Sequence, residues 1–492
     1  MKKLIFGLVA FVTLVAMVGC APQAATTVAP PEPTQAQATT QALAPTQALA
    51  PTQALAPTQA PVTPTEGPTA PAAPLGPVTI QVSGWTYDTA SVQANIAEYE
   101  TWVKAQAVPP VDVTVDWTDA DYDNYNTFVT TLFSGGDSRD VLYSSDQWLA
   151  QWADAGWVVP LEDYWPDVKN YEADISPFSL SALTYKGKLY GLPYYTDTMY
   201  FVYNKQMLQE AGIAAPPTTW DEVSQQAKLI KSKGICDTPF EVGLQPGSWF
   251  DEAFYAMVYA QGGHMFDENN QPAFETDKGP VYDMLEWLAK GINDDQIIPK
   301  KVLQEEAPDV QVDFQNGNVA FAIVPGYMMR EFNTPGVSKI AGSAAISMMP
   351  GTTHQTEGYT RMYLMGKSAV TDPVKLQAAI DLINFWGGKT TVDGVTAYNI
   401  AKKWAVNNGL GFSINSLWKD SDVNKAFSAM ADTTVMQKQK NLALSKEGMS
   451  APWFAEWISY TRAEVPKALL RQESTTTALE NINQQWVSLS KQ

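Results

Sequence analysis

Between residues 78 and 156 the spacing of apolar positions switches repeatedly between two periods. "VTIQVSGW" (78 to 85) reads as a buried strand closing on Gly84. Val92, Ile96, Tyr99, Trp102 and Val103 then recur at helical spacing, and "VDVTVDW" (111 to 117) alternates as a second strand. A helical "FVTTLF", a short strand in "RDVLYSSD" and a helical "QWLAQWADAG" follow. The pattern continues downstream. Residues 216 to 234 predict a helix opened by a capping box of Thr219 and Glu222, striped by Val223, Ala227 and Ile230, and closed at Gly234. Residues 279 to 291 predict another, with Pro280 in its first turn, Val281, Met284, Leu285 and Leu288 on one face, and Gly291 at its end. "VDFQNGNVAFAIVPGY" (312 to 327) reads as a helix end, an Asn-Gly turn and a strand; residues 372 to 388 form a third capped helix. Strands alternating with helices predict an α/β protein with mostly parallel sheets covered on both faces. Ligands of such sheets meet the loops at the carboxyl ends of strands, where Trp85, Tyr87 and Asp146 fall.

The first 77 residues follow another logic. Lys2 and Lys3 precede an apolar run from Leu4 to Val18, short for a membrane span and suited to an export signal. "MVGC" resembles a bacterial lipobox, with Met17 where leucine is usual, which implies cleavage after Gly19 and lipidation of Cys20. A plain signal anchor is the alternative. Residues 21 to 77 hold Pro, Ala, Thr and Gln with almost no charge, including the repeat "TQALAPTQALAPTQALAPTQAP". Regular proline and the lack of an amphipathic period predict a spacer without a core, reaching roughly 40 Å as a coil.

Composition narrows the function. A formal charge of −20 argues against a nucleic-acid partner, whose phosphates it would not neutralise. Cys20 and Cys236 lie in surroundings too different for a mutual disulfide. His264 and His354 lack metal-ligand spacing, and no Walker A or dinucleotide fingerprint occurs, so neither metal nor cofactor is expected. "DADYDN" from Asp119 lacks the glycine and terminal glutamate of a calcium loop and reads as a solvated turn.

"YGLPYYTDTMYFVYNK" (190 to 205) crowds tyrosines around one acid, Asp197. A sugar offers C–H faces that pack on aromatic rings and hydroxyls that pair with carboxylates or guanidinium groups, so aromatics beside a few Asp or Arg residues suit carbohydrate. The chain carries 16 Trp and 21 Tyr, each with a polar handle that a purely structural core must satisfy.

Several segments resemble, in order, the extracellular solute-binding proteins of ATP-driven sugar importers, the maltose-binding-like group. Gly187, Lys188, Gly191, Pro193, Tyr203, Asn204, Lys205, Ala211, Gly212, Pro217, Thr219, Trp220 and Glu222 meet one family pattern. "FQNGNVAFAIVPGY" resembles another, with Phe321 in place of the usual methionine, and "VTDPVKLQAAIDLINF" and "MSAPW" resemble two more. The likeness runs from about residue 78 to the end. It implies a two-lobed periplasmic-binding-protein-like fold (type II), with a multi-segment hinge whose first crossing falls just after Pro193 and a cleft that closes on its ligand. The implied organisation is a signal peptide (1 to 19), a lipidated Cys20 and linker (20 to 77), an N-lobe (78 to 195 and 350 to 388) and a C-lobe (196 to 349 and 389 to 492). Carried over residue by residue, the resemblance makes Asp197 an acceptor of sugar hydroxyls and Trp249, Tyr327 and Trp453 stacking platforms. It assigns weaker contacts to Trp85 and Asp146. Arg361 is a candidate hydroxyl donor, with an exposed ion pair as its other reading, and Asp197 has the alternative of a hinge carboxylate capping backbone N–H groups. Tyr194, Tyr195 and Tyr200 have two readings, cleft lining and core packing, of which core packing is preferred. The implied protein is a monomer without enzymatic activity, anchored through Cys20 on the extracytoplasmic face of the membrane, that passes a carbohydrate, an oligosaccharide, to the transmembrane subunits of a permease. A secreted glycoside hydrolase and a binding protein for a non-sugar solute stay open.

Overall fold

The computed structural model describes residues 77–106 and 111–491. The export segment, Cys20 and the spacer expected above lie outside the described residues. No helix among the described residues is long and apolar enough to cross a membrane.

The period changes read along the chain correspond to real elements. β1 (Val78–Trp85), α1 (Thr89–Gln106), β2 (Val113–Ala120), α2 (Tyr122–Ser134), β3 (Val141–Ser145) and α3 (Asp146–Asp154) build a first layer, with β1 parallel to both β2 and β3. β4 (Gly191–Asn204) follows as one long strand. α4 (Trp220–Ser232) begins at Thr219, whose hydroxyl accepts the Glu222 N–H at 3.2 Å. The Glu222 carboxylate reaches one residue further back than a capping box requires, to the N–H of Thr218 at 2.7 Å. β5 (Phe240–Val242), α5 (Ser248–Ala260), α6 (Pro280–Asn293), α7 (Ala307–Gln315), β6 (Phe321–Pro325) and β7 (Ala344–Ser347) form the second layer. Gly291 does not end its helix: α6 runs on to Asn293, and the bare Cα of Gly291 lets Ile298 pack against it. β8 (Thr356–Gly366) returns to the first layer, α8 (Pro373–Gly387) starts at Asp372, which accepts the N–H groups of Val374 and Lys375, and α9 (Phe454–Leu469) and α10 (Thr475–Leu489) close the chain.

The fold is the expected two-lobed α/β type, with one detail changed. The strand order is β2-β1-β3-β8-β4-β6-β5, and parallel pairing is confined to β1–β2, β1–β3 and β5–β6 among these strands. β8 runs antiparallel to β3 and β4, and β4 runs antiparallel to β6 and β7. The sheets are therefore mixed rather than mostly parallel. The cause is topological: a strand that enters from the other lobe runs against its neighbours and needs no helical crossover. β4 pairs with β8 from Gly191 to Thr198, then with β6 from Met199 to Tyr203, so one strand belongs to both sheets.

Separate cores sit on the two sides of that crossing. On the first, Trp85, Tyr125, Tyr143, Trp152, Tyr363 and Trp386 pack with the aliphatic faces of β1, β3 and α8. On the second, α5, α6, α9 and α10 enclose Phe240, Trp457 and Trp486, and a neighbouring cluster joins Phe314, Phe332 and Phe427. Each fully buried large side chain contributes about 1.5–3 kcal/mol relative to exposure.

Candidate ligand-binding cleft

A cavity of about 240 Å³ opens where the carboxyl ends of β1, β2 and β6 meet the starts of α2, α5 and α7. The first lobe contributes Trp85 and Tyr87 beyond β1 and Tyr122 at the start of α2. Trp249 in the first turn of α5 and Tyr327 just after β6 come from the second. Tyr195 and Arg361 rise from the paired crossing strands β4 and β8, where they lie opposite one another in register. The Trp249 and Tyr327 rings stand 6.4 Å apart at 47°, an open angle between two plates. Trp85 is held rigidly: Tyr122, Tyr125, Tyr143 and Trp148 meet it edge-on at 5.2–6.4 Å, and it is only 4% exposed.

The floor is a buried ion network. Arg361 reaches Asp146 of the first lobe at 3.3 Å and Glu252 of α5 at 2.9 Å, so it ties the lobes together. Its Cζ lies 5.3 Å from the Tyr122 ring centroid and 4.4 Å from that of Tyr359, while its Nε has no hydrogen-bond partner among the described residues. Behind it the Lys446 ammonium sits 3.4–3.6 Å from Asp251, Glu252 and Glu357, and Arg462 donates to Asp251 at 2.7 Å. Burial works against the Lys446 charge, yet Glu252, Glu357 and Asp251 around it leave its pKa above that of an ordinary lysine. Desolvation pushes the Glu252 and Glu357 carboxyls upward against the pull of Lys446.

Asp197 lies at the strand switch, 5% exposed. Its carboxylate accepts the N–H of Thr198 and the N–H of Tyr327, each at 2.8 Å. Close approach here demands glycine: a Cβ on Gly326 would stand 2.4 Å from the Asp197 carboxylate. Burial raises the Asp197 pKa to about 7 despite the N–H groups of Thr198, Tyr327 and Gly326. Lys440 shares a pocket of about 20 Å³ with it, donates to the Phe412 carbonyl, and is pushed down to about 7 by burial.

Of the residues named from sequence, Trp85, Trp249, Tyr327 and Arg361 are brought to one cavity. Arg361 is ion-paired, as its other reading held, but buried rather than exposed. Asp146 supports Arg361 from behind and lines a second, larger cavity of about 590 Å³, so the Asp146–Arg361 pair stands between the two. Asp197 does not line the aromatic cavity; its side chain is spent on backbone N–H groups, and it touches the cavity only through Tyr327. Trp453 lies outside both cavities because the start of α9 turns it into the second-lobe core, 5.7 Å from Trp486.

Other residues line the cavity beside those assigned from the sequence. Tyr195 lines the cavity, the other of its two readings, while packing against both cores, whereas Tyr194 and Tyr200 are core as preferred. Asp121, Tyr122 and Asp123, read as a solvated turn, stand at its rim, and Glu306 faces it from the second lobe. Asp121, Tyr122 and Asp123 follow the carboxyl end of β2 just as Trp85 closes β1, which is their signal in the sequence. Glu306 has no such local signal.

The profile of the bacterial extracellular solute-binding protein family matches residues 85–389, and the chain belongs to that family. A Brucella abortus (strain 2308) relative, named only as a binding protein, is 26% identical over 287 residues, 56% of this chain and 68% of its own. The maltotriose-binding protein of Pyrococcus abyssi is 28% identical over 138 residues, 28% of this chain and 27% of that one. Among solved structures, maltose-bound MalE3 of T. maritima superposes with a TM-score of 0.69 at 20% identity, over 84% of this chain and 100% of that chain.

Proposed function

We propose that this protein is the extracytoplasmic receptor of an ATP-driven importer, capturing a carbohydrate, an oligosaccharide, between its lobes and delivering it unaltered to a membrane permease. One observation carries the reading: aromatic plates from both lobes, Trp85 and Tyr87 opposite Trp249 and Tyr327, enclose a single cavity beside the unpartnered Nε of Arg361. Ring faces suit sugar C–H surfaces, and a buried donor without a partner is satisfied by a ligand hydroxyl. The likeness to a maltotriose-binding protein and to a maltose-bound structure supports the same class. Contacts to both lobes favour the closed form by differential affinity. An affinity in the micromolar range, about −8 kcal/mol, allows both capture and release.

The hydrolase alternative and the binding reading part on turnover. Titrating the purified chain with maltotriose and longer glucose oligomers, by calorimetry and tryptophan fluorescence, is expected to give saturable binding with no new reducing ends. Reducing-end release would make the protein a glycosidase; absence of binding across neutral and derivatised oligosaccharides would remove carbohydrate altogether. Anchoring through Cys20 belongs to the same proposal: intact mass of the membrane-bound protein should carry the acyl groups on Cys20, and Cys20→Ser should release the chain from the membrane.

A further inference from the structure

The aromatic cavity is more acidic than a neutral sugar requires. Asp121 and Asp123 of the first lobe and Glu306 of the second all line it, and the one cation among its lining residues, Arg361, is already shared between Asp146 and Glu252. None of the three carboxylates enters an ion pair among the described residues. Asp121 accepts the Asp123 N–H at 3.1 Å, and Glu306 accepts from Gln245 at 3.2 Å and from the Asp309 N–H in the capping box that opens α7, which leaves part of their oxygen lone pairs free. A neutral saccharide's hydroxyls hydrogen-bond to these carboxylates but leave their charge uncompensated; an ammonium group supplies N–H donors and a positive charge together.

We infer that the preferred ligand is a carbohydrate bearing a protonated amine, its ring among the aromatic plates and its ammonium between Asp121, Asp123 and Glu306. This rests on the reading of the cavity as a carbohydrate site. Trp and Tyr faces attract a cation as well as C–H groups, and the open Nε of Arg361 serves a ring hydroxyl. The carboxylates do not form a metal cage: the one group of three whose oxygens converge within 4.8 Å among the described residues is Glu241, Glu305 and Asp313, where Lys301 already serves as counter-ion.

The two lobes carry these acids towards each other. The Asp123 carboxyl is raised by desolvation and by Asp121, against a partial offset from Arg462, and Glu306 is raised by desolvation and then by Asp123, Asp309 and Asp121. Like charges on opposite lobes oppose closure of the empty cleft. A cation between them reverses the sign, so the ligand's charge itself selects the closed form.

The test compares matched pairs on the full purified chain, at a pH where the amine is protonated: glucosamine oligomers against glucose oligomers of equal length, in α- and β-linked series, with spermidine as a non-sugar amine. For the pair that fits the site, the amine-bearing member is expected to bind about tenfold or more tightly than its neutral counterpart. That advantage should shrink as salt rises. The double variant Asp123→Asn with Glu306→Gln should bring the ratio near one while its thermal melt stays close to that of the parent. A neutral member that binds as tightly as its amine-bearing counterpart, or a ratio untouched by the double variant, overturns the inference and leaves the carbohydrate reading standing. Spermidine binding alone, or no binding of either sugar class, fails the carbohydrate reading and this inference with it.

Discussion

Two sets of carboxylates flank the cleft, and they behave oppositely. Asp146, Asp251, Glu252 and Glu357 are buried and gathered around Arg361, Lys446 and Arg462. Asp121, Asp123 and Glu306 stand at the rim without a cation. Removed from water, a carboxylate is tolerated only with a partner, so the first set is committed to structure. Left at the edge of solvent, the second keeps its charge uncommitted and available to something that enters. Acidity near a cleft is thus no guide to binding until burial and pairing are known.

The largest expected effect attacks the committed set. Lys446→Met strands Glu357 and leaves Glu252 and Asp251 to Arg361 and Arg462 alone, and should cost about 3–5 kcal/mol of stability by denaturant titration. Adding Glu357→Gln should return part of that loss; if the single variant unfolds at the parent's midpoint, the network is not the anchor described. Next is the binding surface. Tyr327→Ala should weaken saccharide binding by about 2 kcal/mol in calorimetry while barely moving the melt, the behaviour of a ligand-facing plate rather than a core residue.

Asp197 provides an intermediate test, because it belongs to neither set: it is buried beside Lys440 without an ion pair to it and takes backbone N–H groups instead. Its pKa is raised to about 7 in the folded protein, above the unfolded value, so the protonated form favours folding. The stability it contributes is full below about pH 4 and is lost as pH rises through about 7, a loss of about 2 kcal/mol between pH 5 and pH 7. Lys440, depressed to about 7, adds the opposite slope above that point, since its neutral form is favoured in the fold. Melts across pH should show the acid-side decline in the parent and its disappearance in Asp197→Asn. The smallest effect is expected at Trp453: Trp453→Phe should change saccharide affinity by less than about twofold, because its ring packs on Trp486 away from the cavity. A large loss of affinity there would return Trp453 to the binding surface.

Local structure was legible in the sequence wherever one segment contains its own cause. Thr219 and Asp372 cap the helices they precede, and β1 begins and ends as the alternation of "VTIQVSGW" indicates. Part of the cavity was legible too, because Trp85 lies at the carboxyl end of a strand and Trp249 and Tyr327 lie in motifs shared with a known family. What escaped depends on partners far away in the chain. The antiparallel run of β8 against β3, the opposition of Arg361 to Ser145 and Tyr195, and the contact of Lys446 with Glu252 each join segments separated by more than a hundred residues.

The sequence by itself determined the class of fold, the family and the kinds of side chain from which a ligand site could be built, since periodicity and capping act over a few residues and ordered motifs persist along the chain. Which of those side chains meet follows instead from the folded path of the chain. The path of β4 and β8 between the two sheets sets which aromatics face inward, and burial decides whether an acid becomes a structural ion, as Glu252 does, or stays free for a ligand, as Glu306 does. The physical reason is that desolvation and pairing depend on what surrounds a charge in space, which no local pattern encodes.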